Sequence, residues 1–273
     1  MRRPLKAVAH HPGKGDSLSI LDKIILNIGA GIKRILPAQP CMLCGSMSHD
    51  GLWCAACDNA LPYLDMPLCP ICALPTPAGE VCGQCLKHPP LFDCTTAVFG
   101  YAFPLDKLIQ AMKYGEQLAL AHAFAEKLTQ RIGNSILKEG NGVLSRDWLP
   151  DYVIPMPLHP AKLRARGFNQ SLLLASKAAR ELSLDLLPDA CRRVRDTLPQ
   201  SALPWKERKK NMHGAFHCDM DMNGRHIALV DDVLTTGASL NALAEVLRKR
   251  GASRISAWVM ARALPRSGGR YVT

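Results

Sequence analysis

Residues 227–239 read Ile227-Ala228-Leu229-Val230-Asp231-Asp232-Val233-Leu234-Thr235-Thr236-Gly237-Ala238-Ser239, and the order of residue types in this stretch decides the fold. The apolar run from Ile227 to Val230 suits a strand buried in a parallel sheet. Two carboxylates follow where that strand should end, at the edge where open α/β sheets bind ligands. A short Thr/Gly/Ser loop comes next. A helix follows, with Leu240, Leu243, Ala244 and Leu247 on one face and Gly251 as its cap. The amides and hydroxyls of Thr235, Thr236, Gly237, Ala238 and Ser239 are placed to cradle a phosphate at a helix N-terminus, and Gly237 lets the backbone approach closely. Asp231 and Asp232 beside it can accept hydrogen bonds from ribose hydroxyls and meet a magnesium ion, directly or through water. The plainer alternative is a strand followed by an acidic helix cap. Against it, two adjacent carboxylates are costly to bury without a ligand or a cation.

Upstream, Tyr152 to Pro157 reads as a strand running into a loop, Leu158 to Gly167, that carries Lys162, Arg164 and Arg166. Asn169 then caps a helix through about Leu182. The loop is either a solvated basic surface or a set of anion ligands. From Arg192 to Phe216 the chain is too polar and too interrupted by proline for core, and it reads as a mobile loop that closes over a ligand. Thr197, Gln200 and Ser201 are its polar contacts. Between Pro160 and Met212 twelve Lys/Arg face five acids.

Eight of the eleven cysteines fall in Cys-x-x-Cys pairs: Cys41/Cys44, Cys54/Cys57, Cys69/Cys72 and Cys82/Cys85. Every cysteine of the first half recurs 28 positions later, which is an internal repeat. Each half supplies four thiolates on two knuckles, the set a tetrahedral structural zinc requires. Sequential pairing within each half predicts two zinc ions, with His49 and His88 left at the surface. Such usage belongs to a reducing compartment, so the cytoplasm is expected.

The net charge of +11 is unevenly spread. Residues 1–40 hold seven Lys/Arg against two Asp, +5, whereas residues 41–94 hold one Lys against five acids, −4. Zinc tetrathiolate sites add further negative charge, so the cysteine module is a poor surface for phosphate backbones. No apolar run reaches the roughly 18 residues of a membrane span. Ile24, Ile25, Ile28, Ile32 and Ile35 form a helical stripe within Leu21–Leu36. It reads as a helix packed on its own protein or as a docking helix for a partner or the inner-membrane surface.

The 227–239 stretch resembles, at every position, the thirteen-residue phosphoribosyl-pyrophosphate signature of type I phosphoribosyltransferases. Four further features extend the likeness: the paired ribbons, Met112-Lys113-Tyr114-Gly115, Arg166-Gly167-Phe168-Asn169-Gln170-Ser171, and the Thr197–Ser201 segment. With them, the chain from Cys41 to Arg262 resembles the ComF family of competence-related proteins. The resemblance implies an α/β fold with a type I phosphoribosyltransferase-like, mostly parallel five-stranded sheet, helices on both faces and an N-terminal double zinc ribbon. The expected divisions are a basic segment at 1–40, the double ribbon at 41–94, the phosphoribosyltransferase-like domain at 95–265 and a tail at 266–273. It also implies that Lys162, Arg164 and Arg166 contact pyrophosphate, and that phosphoribosyl pyrophosphate arrives with magnesium. A part in taking up external DNA beside a helicase is implied as well; a catalytic reaction is not.

One departure narrows the substrate. Purine-salvage relatives of the hypoxanthine type carry an acid at the first loop position, where this chain has the neutral Thr235. Two function classes stay open. One is a DNA-uptake accessory protein that binds a phosphoribosyl ligand, and single-stranded DNA through the basic segment from Lys162 to Lys210, where Phe168 and Trp205 can stack on bases. The other is a working phosphoribosyltransferase of nucleotide metabolism, with Asp231 and Asp232 as its catalytic acids.

Overall fold

The computed structural model describes residues 38–49, 51–114, 118–139, 148–196 and 212–265. The isoleucine stripe before residue 37, Thr197, Gln200, Ser201, Trp205 and the 266–273 tail lie outside the described residues. The chain divides into two compact units, Met1–Asp58 and Asn59–Thr273.

The first unit holds one ribbon half. Strands β1 (Gln39–Pro40) and β2 (Met47–Ser48) pair antiparallel around the first knuckle, and the short helix α1 (Ala55–Asn59) follows the second. Trp53 is buried, and its indole N–H donates to Asp58 at 2.7 Å.

The second unit opens on the other ribbon half, which includes helix α2 (Gly83–Lys87), and continues into the sheet. In chain order come β3 (Cys94–Gly100), α3 (Leu105–Tyr114), α4 (Leu118–Glu139), β4 (Tyr152–Pro155), α5 (Pro160–Arg166), α6 (Gln170–Glu181), β5 (Asp185–Leu186), β6 (Cys191–Arg193), β7 (Phe216–Cys218), β8 (His226–Leu234), α7 (Ala238–Lys249) and β9 (Arg254–Arg262). The five-stranded sheet has the order β3-β9-β8-β4-β5, and every neighbouring pair in it is parallel. Strands β8 and β9 carry near-continuous apolar runs, as central parallel strands do. Helix α4 turns Leu120, Phe124, Leu128, Ile132 and Ile136 inward at four-residue spacing, and the Phe124 ring meets Phe99 of β3 edge-on at 6.5 Å.

Strand order places the site. After β4 the chain moves outward to β5, whereas after β8 it moves the other way to β9. The adjacent carboxyl ends of β4 and β8 are therefore the point where the order reverses, and such a point opens a crevice between two diverging connections.

Three local expectations differ from what the fold contains. The strand carrying the acid pair does not stop before Asp231 but runs through both acids to Leu234, because Asp231 and Val233 keep their ladder partners Val259 and Ala261 on β9. The loop from Leu158 to Gly167 contains helix α5, which starts at Pro160 with His159 as its cap and ends on Gly167 in the left-handed region at φ +77°. The ends of the Arg192–Phe216 segment are an antiparallel ribbon rather than loop, with Arg193 opposite Phe216 and Cys191 opposite Cys218.

Residues between the ribbon halves, and Pro70 of the second half, lie along β3. Leu64 N donates to Val98 O at 2.9 Å, Gly100 N to Pro62 O at 2.8 Å, and Thr95 N to Pro70 O at 3.0 Å. Among the described residues, no helix is long and apolar enough to cross a membrane.

Candidate ligand site and cysteine clusters

The crevice at the β4/β8 ends is a pocket of about 660 Å³. One wall is the loop from Thr235 to Ser239, and another is the acid pair. Gly237 sits at φ +78°, ψ 4° as the cap of α7, where no side chain bonds to the cap, and Thr236 Oγ1 accepts from Ala238 N at 3.3 Å. A Cβ at Gly237 would meet Leu234, Phe92 and Asn241 at 3.6–3.8 Å, so the requirement there is conformational rather than steric. Helix α7 holds the loop by burying Leu240, Leu243, Ala244 and Leu247, the face expected from the sequence; its C-cap is Arg250, with Gly251 following at φ +94°.

Successive strand residues project to opposite sides, so the two carboxylates part. Asp231 Oδ1 accepts from Ser171 Oγ of α6 at 3.1 Å and from the Asp232 amide at 2.9 Å. Asp232 Oδ2 instead lies 2.9 Å from Nζ of Lys113, in the last turn of α3. Burial, and then the neighbouring Asp232, push the Asp231 carboxyl up to about 7 against the pull of Lys113 and two hydrogen bonds. Burial alone would lower Lys113, but the facing Asp232 outweighs it and raises the ammonium above its ordinary value.

The basic wall comes from α5 and β6. Lys162 and Arg166 line the pocket; Arg164, one of the three expected cations, is exposed and is not among the lining residues. Arg193 lines it as well. Burial first, and then Arg193, hold Lys162 below its ordinary value, and burial lowers Arg193 too. Cations crowded and desolvated in this way are a site shaped for an anion. Asn169 ties the wall to β4, accepting from Ser171 N at 3.0 Å and donating to Met156 O at 3.1 Å.

Gln170 gives the sharpest sign of a ligand. Its side chain is 1% exposed and lines the pocket, and Arg166 Nη1 donates to its Oε1 at 3.0 Å. Its Nε2 donor has no partner among the described residues, and a buried donor normally has one. A phosphate oxygen would reach it only if the enclosed side chain shifts toward the pocket. Lys113, Gln170 and Ser171 stand in stretches that carry the family resemblance, but their residue types alone assign them no role.

The far wall is Tyr101, Gln110 and Tyr114. Tyr114 is 75% exposed, with the Arg166 guanidinium 5.2 Å from its ring centre.

The eight ribbon cysteines gather as expected into two groups, Cys41/Cys44/Cys54/Cys57 and Cys69/Cys72/Cys82/Cys85, with all four sulfurs of each within 4.8 Å of one another. His49 and His88 belong to neither and are exposed. The halves repeat down to single bonds: Cys54 N donates to Cys41 Sγ and Cys82 N to Cys69 Sγ, both at 3.3 Å. Burial would raise Cys41, but amide bonds led by that of Cys54 bring it down to about 6, and Cys69 comes to about 7 in the same way. Burial pushes Cys72 up to about 11, a cost that a cation at the centre of the group would remove. Four soft donors at this spacing suit tetrahedral zinc.

Two domain families match separate parts of the chain. Residues 32–86 match the double zinc ribbon domain family and residues 169–268 the phosphoribosyl transferase domain family. The chain is 34% identical over 227 residues to the DNA utilization protein YhgH of Escherichia coli (strain K12), covering 82% of this chain and 97% of that protein. It is 33% identical over 226 residues to competence protein F of Haemophilus influenzae, covering 82% and 90%. To competence protein ComFC of Bacillus subtilis it is 25% identical over 259 residues, covering 86% and 98%.

Proposed function

The chain belongs to the ComF family of competence-related proteins, and from that premise we propose that it binds phosphoribosyl pyrophosphate in the β4/β8 crevice and serves in the uptake and use of external DNA. The observation that carries the ligand reading is the combination, in one pocket, of a helix-capping Thr/Gly/Ser loop, an acid pair and a buried amide donor that has no partner among the described residues. The 5-phosphate is held by the amides and hydroxyls of Thr235 to Ser239 at the N-terminus of α7. Asp231 and Asp232 accept from the ribose hydroxyls, and Ser171 orients the first of them. Lys162 and Arg166, with Gln170 Nε2, meet the pyrophosphate oxygens.

The hard oxygens of Asp231 and Asp232 are donors of the kind magnesium takes, Asp232 giving up its contact with Lys113 to bind it directly, and an ion held there would neutralise pyrophosphate charge. Zinc is the metal of the two cysteine groups, and its role is structural.

The names of the relatives support the DNA role, and the distribution of charge supports a surface for it. Lys162 and Arg166 line the crevice, and Arg164, Arg192 and Arg195, with Phe168, belong to the same basic stretch of sequence, whereas the ribbon segment is acidic. Single strands offer unpaired bases to such a surface, and about five phosphate contacts would give a salt slope near −3.5. The family resemblance points to a helicase as the protein partner in this role.

The alternative, an active phosphoribosyltransferase, draws on the space beside Tyr101, Gln110 and Tyr114, which an acceptor would fill. Titration calorimetry with phosphoribosyl pyrophosphate and magnesium tests the shared ligand reading, with micromolar affinity expected, about −8 kcal/mol. Asp232→Asn should weaken it by about 1–3 kcal/mol. Absence of binding to the wild-type chain would remove the reading. A transformation assay of a deletion strain complemented with Asp232→Asn then separates the roles. Loss of DNA uptake supports the accessory protein; normal uptake with accumulation of a nucleotide precursor supports the transferase.

A further inference from the structure

The acid pair already faces a cation that belongs to the chain. Helix α3 buries Leu105, Leu108, Ile109 and Met112, which fixes its last turn at the pocket and directs Lys113 across to β8. Lys113 Nζ lies 2.9 Å from Asp232 Oδ2, and the two side chains keep 23% and 12% of their exposure. The contact joins two elements far apart in sequence and is sheltered from the screening that makes surface pairs weak.

A divalent ion that holds a phosphorylated sugar on an acid pair contributes positive charge between carboxylates and phosphates. Here an ammonium already meets Asp232, and Lys162, Arg166 and Arg193 line the same pocket. Lys162 also lies 3.7 Å from Asp196, so four cationic side chains stand against three carboxylates, which still leaves positive charge for the phosphates. Magnesium dehydrates reluctantly and needs near-octahedral oxygen geometry. To bind Asp232 directly it would have to displace Lys113 from one of the oxygens.

Resting on the ligand reading above, we propose that Lys113 supplies the charge matching at the acid pair that a divalent cation would otherwise supply, so that phosphoribosyl ligands bind this crevice without an obligatory metal. Lys113 is in this sense a specificity-determining residue: it sets which ionic form of the ligand the site accepts. The ribose hydroxyls still reach Asp231 and the remaining oxygen of Asp232, and the phosphates still meet the loop and the basic wall.

Calorimetry on the full zinc-loaded chain tests this with phosphoribosyl pyrophosphate in two buffers, one with magnesium and one made free of magnesium by passage over chelating resin. The wild type should bind in both, with dissociation constants within about fivefold of each other. Lys113→Met should lose about tenfold or more in the metal-free buffer and recover most of it with magnesium, while Lys113→Arg, which keeps the charge, should stay near wild type. Melting curves establish that each variant is folded; should Lys113→Met not fold, the wild-type comparison and Lys113→Arg decide alone. Wild-type binding that vanishes without magnesium overturns the inference and leaves the ligand reading intact. Equal behaviour of folded Lys113→Met and wild type in the metal-free buffer overturns it too. No binding in either buffer overturns both.

Discussion

Arg262 Nε, at the end of β9, donates to the carbonyl oxygen of Cys72 at 2.7 Å. The same guanidinium donates through Nη1 to Leu234 O and Thr235 O at 2.9 and 2.5 Å. A residue 3% exposed thus joins the knuckle of the second cysteine group to the first residue of the phosphate loop. Its planar fork spans these carbonyls through two separated nitrogens, a reach that the single ammonium of a lysine does not have.

Replacing Arg262 by methionine keeps the volume but leaves buried carbonyls without donors. The expected cost is about 2–4 kcal/mol of stability, read by urea unfolding, together with weaker binding of phosphoribosyl pyrophosphate. Arg262→Lys should recover only part of both. A variant as stable as the wild type would show that the shared anchor carries no load.

The two cysteine groups should respond differently to damage. Cys41→Ser and Cys82→Ser are each expected to lower the metal content from two zinc ions per chain to one. Cys82→Ser should also weaken ligand binding, because the second group is tied to the loop through Arg262. Metal analysis and calorimetry on the same preparations read both effects. One zinc or none in the wild type would break the sequential pairing.

Asp231 gives a dependence on pH with a definite sign. Its folded value, raised from 3.8 to about 7, means that the folded chain binds more protons than the unfolded chain between about pH 4 and 7. Stability from this group is therefore fully present below pH 4 and is lost as the pH rises through 7. Asp231→Asn, which keeps an acceptor for Ser171, should be more stable than the wild type at pH 8 by on the order of 2–4 kcal/mol, in buffer without magnesium or ligand. The gap should close toward pH 4. An Asn variant less stable at pH 8 would contradict this.

His226 works in the opposite direction at the other end of the strand. Burial, and then Arg254, lower its imidazole from 6.5 to about 4, and its Nε2 is 2.7 Å from Ser256 Oγ. The unfolded chain then binds more protons between about pH 4 and 6.5, so this contribution is present above pH 6.5 and is lost as the pH falls through 4. His226→Gln should flatten the fall in melting temperature across that window. A slope unchanged by the substitution would assign the acid sensitivity elsewhere.

The sequence and the folded chain agree where the signal is local. The 28-residue cysteine repeat needs no three-dimensional information to pair its members, and the apolar run before Asp231 announces a buried strand. Acids are rare in strands, so nothing local indicates that β8 continues past Asp231 and Asp232 to Leu234; the ladder to β9 decides that. Helix α5 had its signals in Pro160 and Gly167, but seven residues are too few for a visible period. Lys113 was legible only as part of a shared stretch, because its partner lies on a strand far along the chain. The facing of Cys191 and Cys218 follows from the register of a ribbon whose connecting residues are too polar to foretell it.

The run from Pro62 to Leu64 has a consequence for the fate of the whole sheet. A parallel sheet ends in a strand with a row of unused amides and carbonyls, and such a margin invites another chain to add itself. At one margin, β5 is two residues long and offers little to copy. At the other, β3 is seven residues long and rich in β-formers, and there Pro62, Leu64 and Pro70 already take up its outward bonds at Gly100, Val98 and Thr95. The tether between the cysteine groups is thus also a guard against templated aggregation. Cleaving or shortening it should produce protein that folds and then forms sheet-rich assemblies on storage, even with both metal groups intact.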